Sequence, residues 1–239
     1  MDGGDTQIVV LITGDTHRNF KPIALKCMKH DFTIDDVIVI LGDVGINYFG
    51  GVEDQNFKRL LSRLEVILLC IHGNHEMRPE SLKTYEEADR FGGVIYHEPE
   101  FPSLLFAKDG EVYELNGKRC IAIGGAYSVD KDVRIANDWG WWPDEQPSDE
   151  IKERVEARLD AEKWNIDIVF SHTCPYKYIP HEMHIPGIDP RTVDNRTEKW
   201  LDSIEDKLTY SQWYCGHFHT DKIIDKMRFM FADIMELGR

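Results

Sequence analysis

Five short apolar runs punctuate the chain, and each ends abruptly in polar residues. Ile8–Thr13 leads to Gly14-Asp15-Thr16-His17, and Val37–Leu41 leads to Gly42-Asp43-Val44-Gly45. Val66–Ile71 leads through His72 to Gly73-Asn74-His75-Glu76. Ile166–Phe170 leads to Ser171-His172, and Gln212–Cys215 leads to Gly216-His217-Phe218-His219. An unbroken apolar run of this length reads as a strand buried on both faces. Between the first three runs the spacing turns helical, over Phe20–Lys29 and over Val52–Leu64, where Phe57, Leu60, Leu61 and Leu64 share one face. The order β-α-β-α-β up to Glu76 predicts a parallel sheet with right-handed crossovers. In such sheets ligands bind in the crevice at the carboxyl ends of the strands. Pro79 suits the first turn of a further helix reaching about Phe91.

From Gly92 to Gly125 the runs become short and alternating, with Asn116-Gly117 as a hairpin turn, so this part reads as mostly antiparallel and as a second sheet packed on the first. Residues 124–147 are the least regular stretch and hold Tyr127, Lys131, Arg134, Trp139, Trp141 and Trp142. A loop of that length is either a lid over a site or a surface insertion pinned by its own aromatics. Helices are predicted from Ser148 to about Trp164 and from Thr197 to Leu208, and a closing hairpin over Lys222–Asp225 and Arg228–Ala232. No repeat, linker or low-complexity segment divides the 239 residues, which read as a single domain spanning 1–239, with 124–147 as a candidate lid.

Charge and cysteines narrow the class. The formal net charge of -15 disfavours broad binding to duplex nucleic acid, without excluding nucleic acid as a substrate, and disfavours an anionic membrane surface. A small anionic substrate stays open, because bound cations reverse the local field. No signal-peptide pattern and no apolar run of about 20 residues is present. Cys27, Cys70, Cys120, Cys174 and Cys215 are odd in number and scattered, as expected of free thiols in a cytoplasmic protein.

The polar tips form one chemical set: Asp15, His17, Asp43, Asn74, His172, His217 and His219. Oxygen and imidazole donors without thiolate suit Mn, Fe, Zn or Ni better than Mg or Ca. Seven such donors exceed what one catalytic ion uses and suit two transition-metal ions sharing a carboxylate. In Asp15-Thr16-His17 and His217-Phe218-His219 the donors stand two residues apart, which on extended backbone puts both on one side.

In order and content these blocks resemble the five-block signature of the calcineurin-like metallophosphoesterases: Gly14-Asp15-Thr16-His17, Gly42-Asp43, Gly73-Asn74-His75-Glu76, a lone His172 and Gly216-His217-Phe218-His219. The resemblance implies a four-layer α/β/β/α sandwich with two mixed sheets and a dinuclear metal site at the C-terminal ends of the strands. Carried over by position, Asp15, His17, Asp43 and His219 hold the first ion, Asp43 bridges, and Asn74, His172 and His217 complete the second. His75 becomes the catalytic histidine that binds no metal, as general acid or electrostatic stabiliser, while a metal-bridging hydroxide attacks a phosphomonoester or phosphodiester. Arg18, beside His17, is the expected phosphate contact. The family's Ser/Thr phosphatase branch follows its second-block Asp with a further Asp-Arg-Gly. Here Val44-Gly45-Ile46-Asn47 follows Asp43, so that branch's arginine is missing from the block.

The expected substrate is therefore a small phosphorylated molecule. The blocks set neither its identity nor the oligomeric state. A nuclease of the same family and a non-catalytic scaffold retaining the fold are the alternatives. His72 reads as a core neighbour of the site, and His30 and His97 as surface positions; His181-Glu182-Met183-His184 has a spacing open to metal but its loop setting and flanking prolines favour a surface loop, with a place at the cleft's border left open. Lys131 and Arg134 read as members of a charged loop that more often do not meet substrate.

Overall fold

The computed structural model describes residues 8–183 and 187–238. The first three runs form β1 (Val10–Thr13), β2 (Val37–Ile40) and β3 (Ile67–Cys70), joined by α1 (Lys21–Lys29) and α2 (Val52–Leu61). They pair in parallel, with Ile12 opposite Val39 and Ile40 opposite Cys70. The sheet continues through β6 (Leu104–Ala107), parallel to β3, and ends in β5 (Gly93–His97) and β4 (Glu86–Arg90), paired antiparallel. At its other edge β13 (Met235–Glu236) pairs antiparallel with β1.

The second sheet has the order β11-β12-β10-β9-β8-β7. Its centre is β8 (Lys118–Ile123), β9 (Ile168–Ser171), β10 (Gln212–Cys215) and β12 (Met227–Phe229), all parallel. The helices α4 (Asp149–Ala161) and α5 (Arg196–Glu205) make its crossovers, and β7 (Val112–Leu115) and β11 (Lys222–Ile224) pair antiparallel at its edges.

Alternation explains why the runs are apolar throughout. In β1, Val10 and Ile12 face the core shared by both sheets, while Leu11 faces the α1–α2 layer; β2 and β3 divide in the same way. Phe170 and Tyr214 enter the shared core from the second sheet, whose outer face packs Val169 and Trp213 on Val155 and Leu159 of α4 and Leu201 and Ile204 of α5. The result is the four-layer α/β/β/α sandwich with two mixed sheets.

Several expectations change. The helix placed over Pro79–Phe91 is a short 3-10 turn, Pro79–Ser81, followed by the edge strand β4. Glu86, Glu87, Asp89 and Arg90 have neutral to good helix propensity, but pairing with β5 satisfies an otherwise open edge, and their charges guard the new one. The stretch 92–125 does not make a sheet of its own. Its first two strands extend the first sheet, and only the β7–β8 hairpin belongs to the second. Asn116 and Gly117 both have positive φ, as the turn between β7 and β8 requires. α2 stops at Leu61 rather than Leu64, and β13 had no period-2 signal. Residues 124–147 contain a short helix, α3 (Lys131–Ala136). The five cysteines are free. No helix among the described residues is long and apolar enough to cross a membrane.

Candidate metal centre

Parallel pairing brings the polar tips of β1, β2 and β3 to one end of the first sheet, and those of β9 and β10 to the same end of the second. The tips approach one another, within the first sheet and between the two sheets, so closely that they need glycine. A Cβ on Gly42 would lie 2.1 Å from the ring Nδ1 of His172, and one on Gly73 would lie 2.1 Å from the Asp43 backbone nitrogen. Gly42 also has φ +101.

All seven predicted donors come together. His17 Nε2 lies 2.8 Å from His219 Nε2, and His219 Nε2 lies 3.2 Å from Asp15 Oδ2. Asp43 Oδ2 is 3.8 Å from His17 Nε2, while Asp43 Oδ1 is 3.4 Å from His172 Nε2. Asn74 Oδ1 meets His172 Nε2 at 2.8 Å and His217 Nδ1 at 3.1 Å. Asp43 thus faces both groups, one oxygen toward each. The Asn74 orientation is set by its amide, which donates to Ser128 Oγ at 2.8 Å.

The backbone is held in unusual conformations at this place. His17, Arg18, Asp43, His217 and His219 all have positive φ, a region that costs an L-residue about 1–2 kcal/mol. Buried supports hold them there. Glu76 is fully buried and accepts from the N–H groups of Val44, Gly45 and Gly73, tying the β2 and β3 tips together. The backbone N–H of His75 donates to Asp43 Oδ1, and that of His217 donates to Asp15 Oδ1. His172 Nδ1 pairs with the Leu41 carbonyl, which directs Nε2 inward.

Protonation fits a cation. Burial, with His172 nearby, pushes the pKa of His217 well down, so its ring is neutral. Burial tends to raise that of Asp43, but His172, His75 and His17 outweigh it and hold the carboxylate ionised. The Asp15 carboxylate, whose Oδ2 lies 3.2 Å from its Nε2, raises that of His219. Asp15 Oδ2 is buried and has no well-aligned donor among the described residues. An orphaned carboxylate oxygen facing two imidazole nitrogens is a fit for a metal ion. Two sets, Asp15 with His17 and His219, and His17 with Asp43 and His75, bring their ligand atoms within 4.8 Å of one another, close enough to hold a metal ion, so His75 borders the donor cluster.

His75 stands beside these donors with a separate partner. The guanidinium of Arg134 contacts its Nδ1, and Asp130 Oδ1 lies 3.9 Å from its Nε2. Arg134 is itself fixed by Asp130 at 2.8 Å and the Gly140 carbonyl at 3.1 Å. Arg18 takes another direction: it donates to the Gly45 carbonyl and Asp54, stacks over Phe57, and lines the groove between α1 and α2.

Sequence reasoning did not single out Ser128 or Asp130, and it read Arg134 as a loop charge. Their only signal was position just after the strand-like run that became β8. The Trp-rich loop is pinned by Arg78, which pairs with buried Asp109 and donates to the Asp144 carbonyl, and by Tyr48 against Trp142. His72 is buried as expected. His181 and Met183 border the cavity; His184 lies outside the described residues.

The calcineurin-like phosphoesterase family model matches residues 8–221, from before β1 to just past His219. The chain belongs to that family. As a calcineurin-like phosphoesterase it is a hydrolase of a dinuclear-metal-dependent class. Among solved structures, the phosphopantetheinyl hydrolase of Mycobacterium tuberculosis has 15% identity and a TM-score of 0.51, covering 94% of this chain and 88% of its own. A protein of unknown function from Aquifex aeolicus has 17% identity and a TM-score of 0.34, covering 70% of this chain and 81% of its own. No curated sequence matches the chain.

Proposed function

We propose that the chain hydrolyses a small phosphomonoester or phosphodiester at a dinuclear centre of Mn, Fe, Zn or Ni. The observation that carries this reading is the convergence of two carboxylates, one amide oxygen and four imidazoles from five strand tips. Asp15, His17, Asp43 and His219 would hold one ion, and Asp43, Asn74, His172 and His217 the other. When bound, such a pair lowers the pKa of a water and clamps phosphoryl oxygens.

The remaining work falls to residues beside the donors. The Arg134 guanidinium can only donate, so Nδ1 of His75 accepts and the ring proton sits on Nε2. That N–H is placed to protonate the leaving oxygen or to hydrogen-bond a phosphoryl oxygen. The contacts of Arg18 to Gly45 and Asp54 support a bracing role for the His17 turn rather than a phosphate contact. The acidic surface favours a small substrate over a nuclease's.

The test is a hydrolysis panel on chain loaded separately with each metal. It compares phosphomonoesters, phosphodiesters, cyclic nucleotides, a phosphopantetheinyl ester and single-stranded DNA. Turnover of at least one ester that chelator abolishes is expected. No turnover with any metal, with both ions bound, would leave the scaffold reading.

A further inference from the structure

A cavity of about 400 Å³ opens from the donor cluster and runs outward beneath α5. It starts at Asp43, Asn74, His75, His217 and His219, and is walled by Tyr127, Val129, Tyr176, Ile179, Val193 and Phe218. No Lys or Arg side chain lines it among the described residues. Asp130 at its edge is already paired with Arg134. The chamber beyond the metal donors is therefore largely apolar, with His181 and Asn195 as polar wall residues, and among the described residues holds no Lys or Arg for a second anionic group.

One polar group in that wall is unexplained. Glu198, on the first turn of α5, lines the cavity while being only 3% exposed. Its Oε1 accepts from Thr173 Oγ1 at 2.8 Å, which anchors it one residue from His172. Its Oε2 has no hydrogen-bond partner among the described residues. Burial pushes the pKa of this carboxyl up to about 7, and a donor reaching Oε2 would favour its ionised, accepting form. A buried carboxyl oxygen without a partner is expensive, and natural folds keep one where a ligand supplies the donor.

Building on the phosphoesterase reading, we infer that Glu198 selects the substrate: the ester's alcohol arm is uncharged and largely apolar, and carries an amide N–H or hydroxyl that donates to Glu198 Oε2. Tyr127, Tyr176 and Phe218 flank the chain of such an arm. Nucleoside polyphosphates and nucleic acid fit this chamber poorly, because their further phosphates meet no cation. Glu198 is a specificity residue here and takes no part in breaking the ester bond.

The test reads binding without turnover, so it is independent of whether the hydrolysis panel succeeds. Calorimetry on Mn(II)-loaded protein compares non-hydrolysable alkylphosphonates with four arms: a secondary amide, its N-methylated tertiary amide, a trimethylammonium and a carboxylate. The secondary amide should bind about tenfold or more tighter than the tertiary amide, as for a hydrogen bond to a carboxyl group. Glu198→Leu should bring that ratio close to one, and the isosteric Glu198→Gln, which keeps an acceptor, should retain part of it. A wild-type ratio near one overturns the inference, and so does a preference that survives Glu198→Leu. Tighter binding of the ammonium or carboxylate arm than of the secondary amide overturns it too. Should the Leu variant not fold, the wild-type ratio and the Gln variant decide.

Discussion

His75 and Asn74 are neighbours in sequence and part company in space. Asn74 turns its amide oxygen to His172 and His217, while His75 turns its ring to Arg134 and Asp130. Metal binding and turnover should therefore separate between them. His75→Ala is expected to keep both ions by elemental analysis and to lower turnover of a poor-leaving-group ester by roughly 10²–10⁴. A nitrophenyl ester needs little protonation of its leaving group. It should suffer less if Nε2–H acts as the acid, and about equally if that proton stabilises the phosphoryl oxygens. Loss of metal from a folded His75→Ala protein would contradict the division. His217→Ala, by contrast, should lose metal and activity together, since that ring is neutral, half-buried and aimed at Asn74 Oδ1.

At the scale of elements, four of the five ligand-bearing strands place their tips through a glycine with no room for a side chain: Gly14, Gly42, Gly73 and Gly216. Gly73→Ala would drive a methyl into the Asp43 backbone nitrogen and carboxylate, both about 2.1 Å from the new atom. Overpacking of this kind costs about 1–3 kcal/mol or more, and here the displaced residue is the proposed bridge. The expected outcome is a fall in melting temperature together with sub-stoichiometric metal. Gly51→Ala is the control. Its Cβ meets nothing within 4 Å, so only its N-cap role on α2, worth about 1 kcal/mol, is at stake and no residue is displaced. Equal behaviour of the two variants would show that the close approach at Gly73 is not what holds the site.

Across the whole molecule, the donors come from both sheets, so a bound metal would act as a staple between layers that already share one core. Mn(II) loading of chelated protein should give about two equivalents per chain. It should also raise the temperature of a single unfolding transition, as any ligand specific to the native state does; each site filled at a hundredfold excess over Kd adds about 2.7 kcal/mol of stability. Asp43→Asn should lose binding at both sites, because its two oxygens face different donor sets. Stoichiometry at or below one after loading the wild type would defeat the dinuclear reading. Two separate transitions in the chelated protein would defeat the single-domain expectation.

The chain's local pattern determined the parallel strands, their order up to β3 and the donor set at their tips. Burial on both faces forces an apolar run, and an apolar run that stops at a glycine is visible without any neighbour. The capped start of α4 at Ser148 and the Asn116-Gly117 turn were legible for the same reason, since their chemistry is local. Pairing across distance was not. Glu86–Arg90 became a strand because β5 had an open edge, which residues 79–91 do not encode. β13 is two residues long and too short to carry a period, and its place beside β1 comes from the chain's return after β12. Arg134 reached His75, and Glu198 reached the cavity, through the packing of α3 and α5. A loop charge and a helix-start glutamate look alike in any sequence until the fold decides what they face.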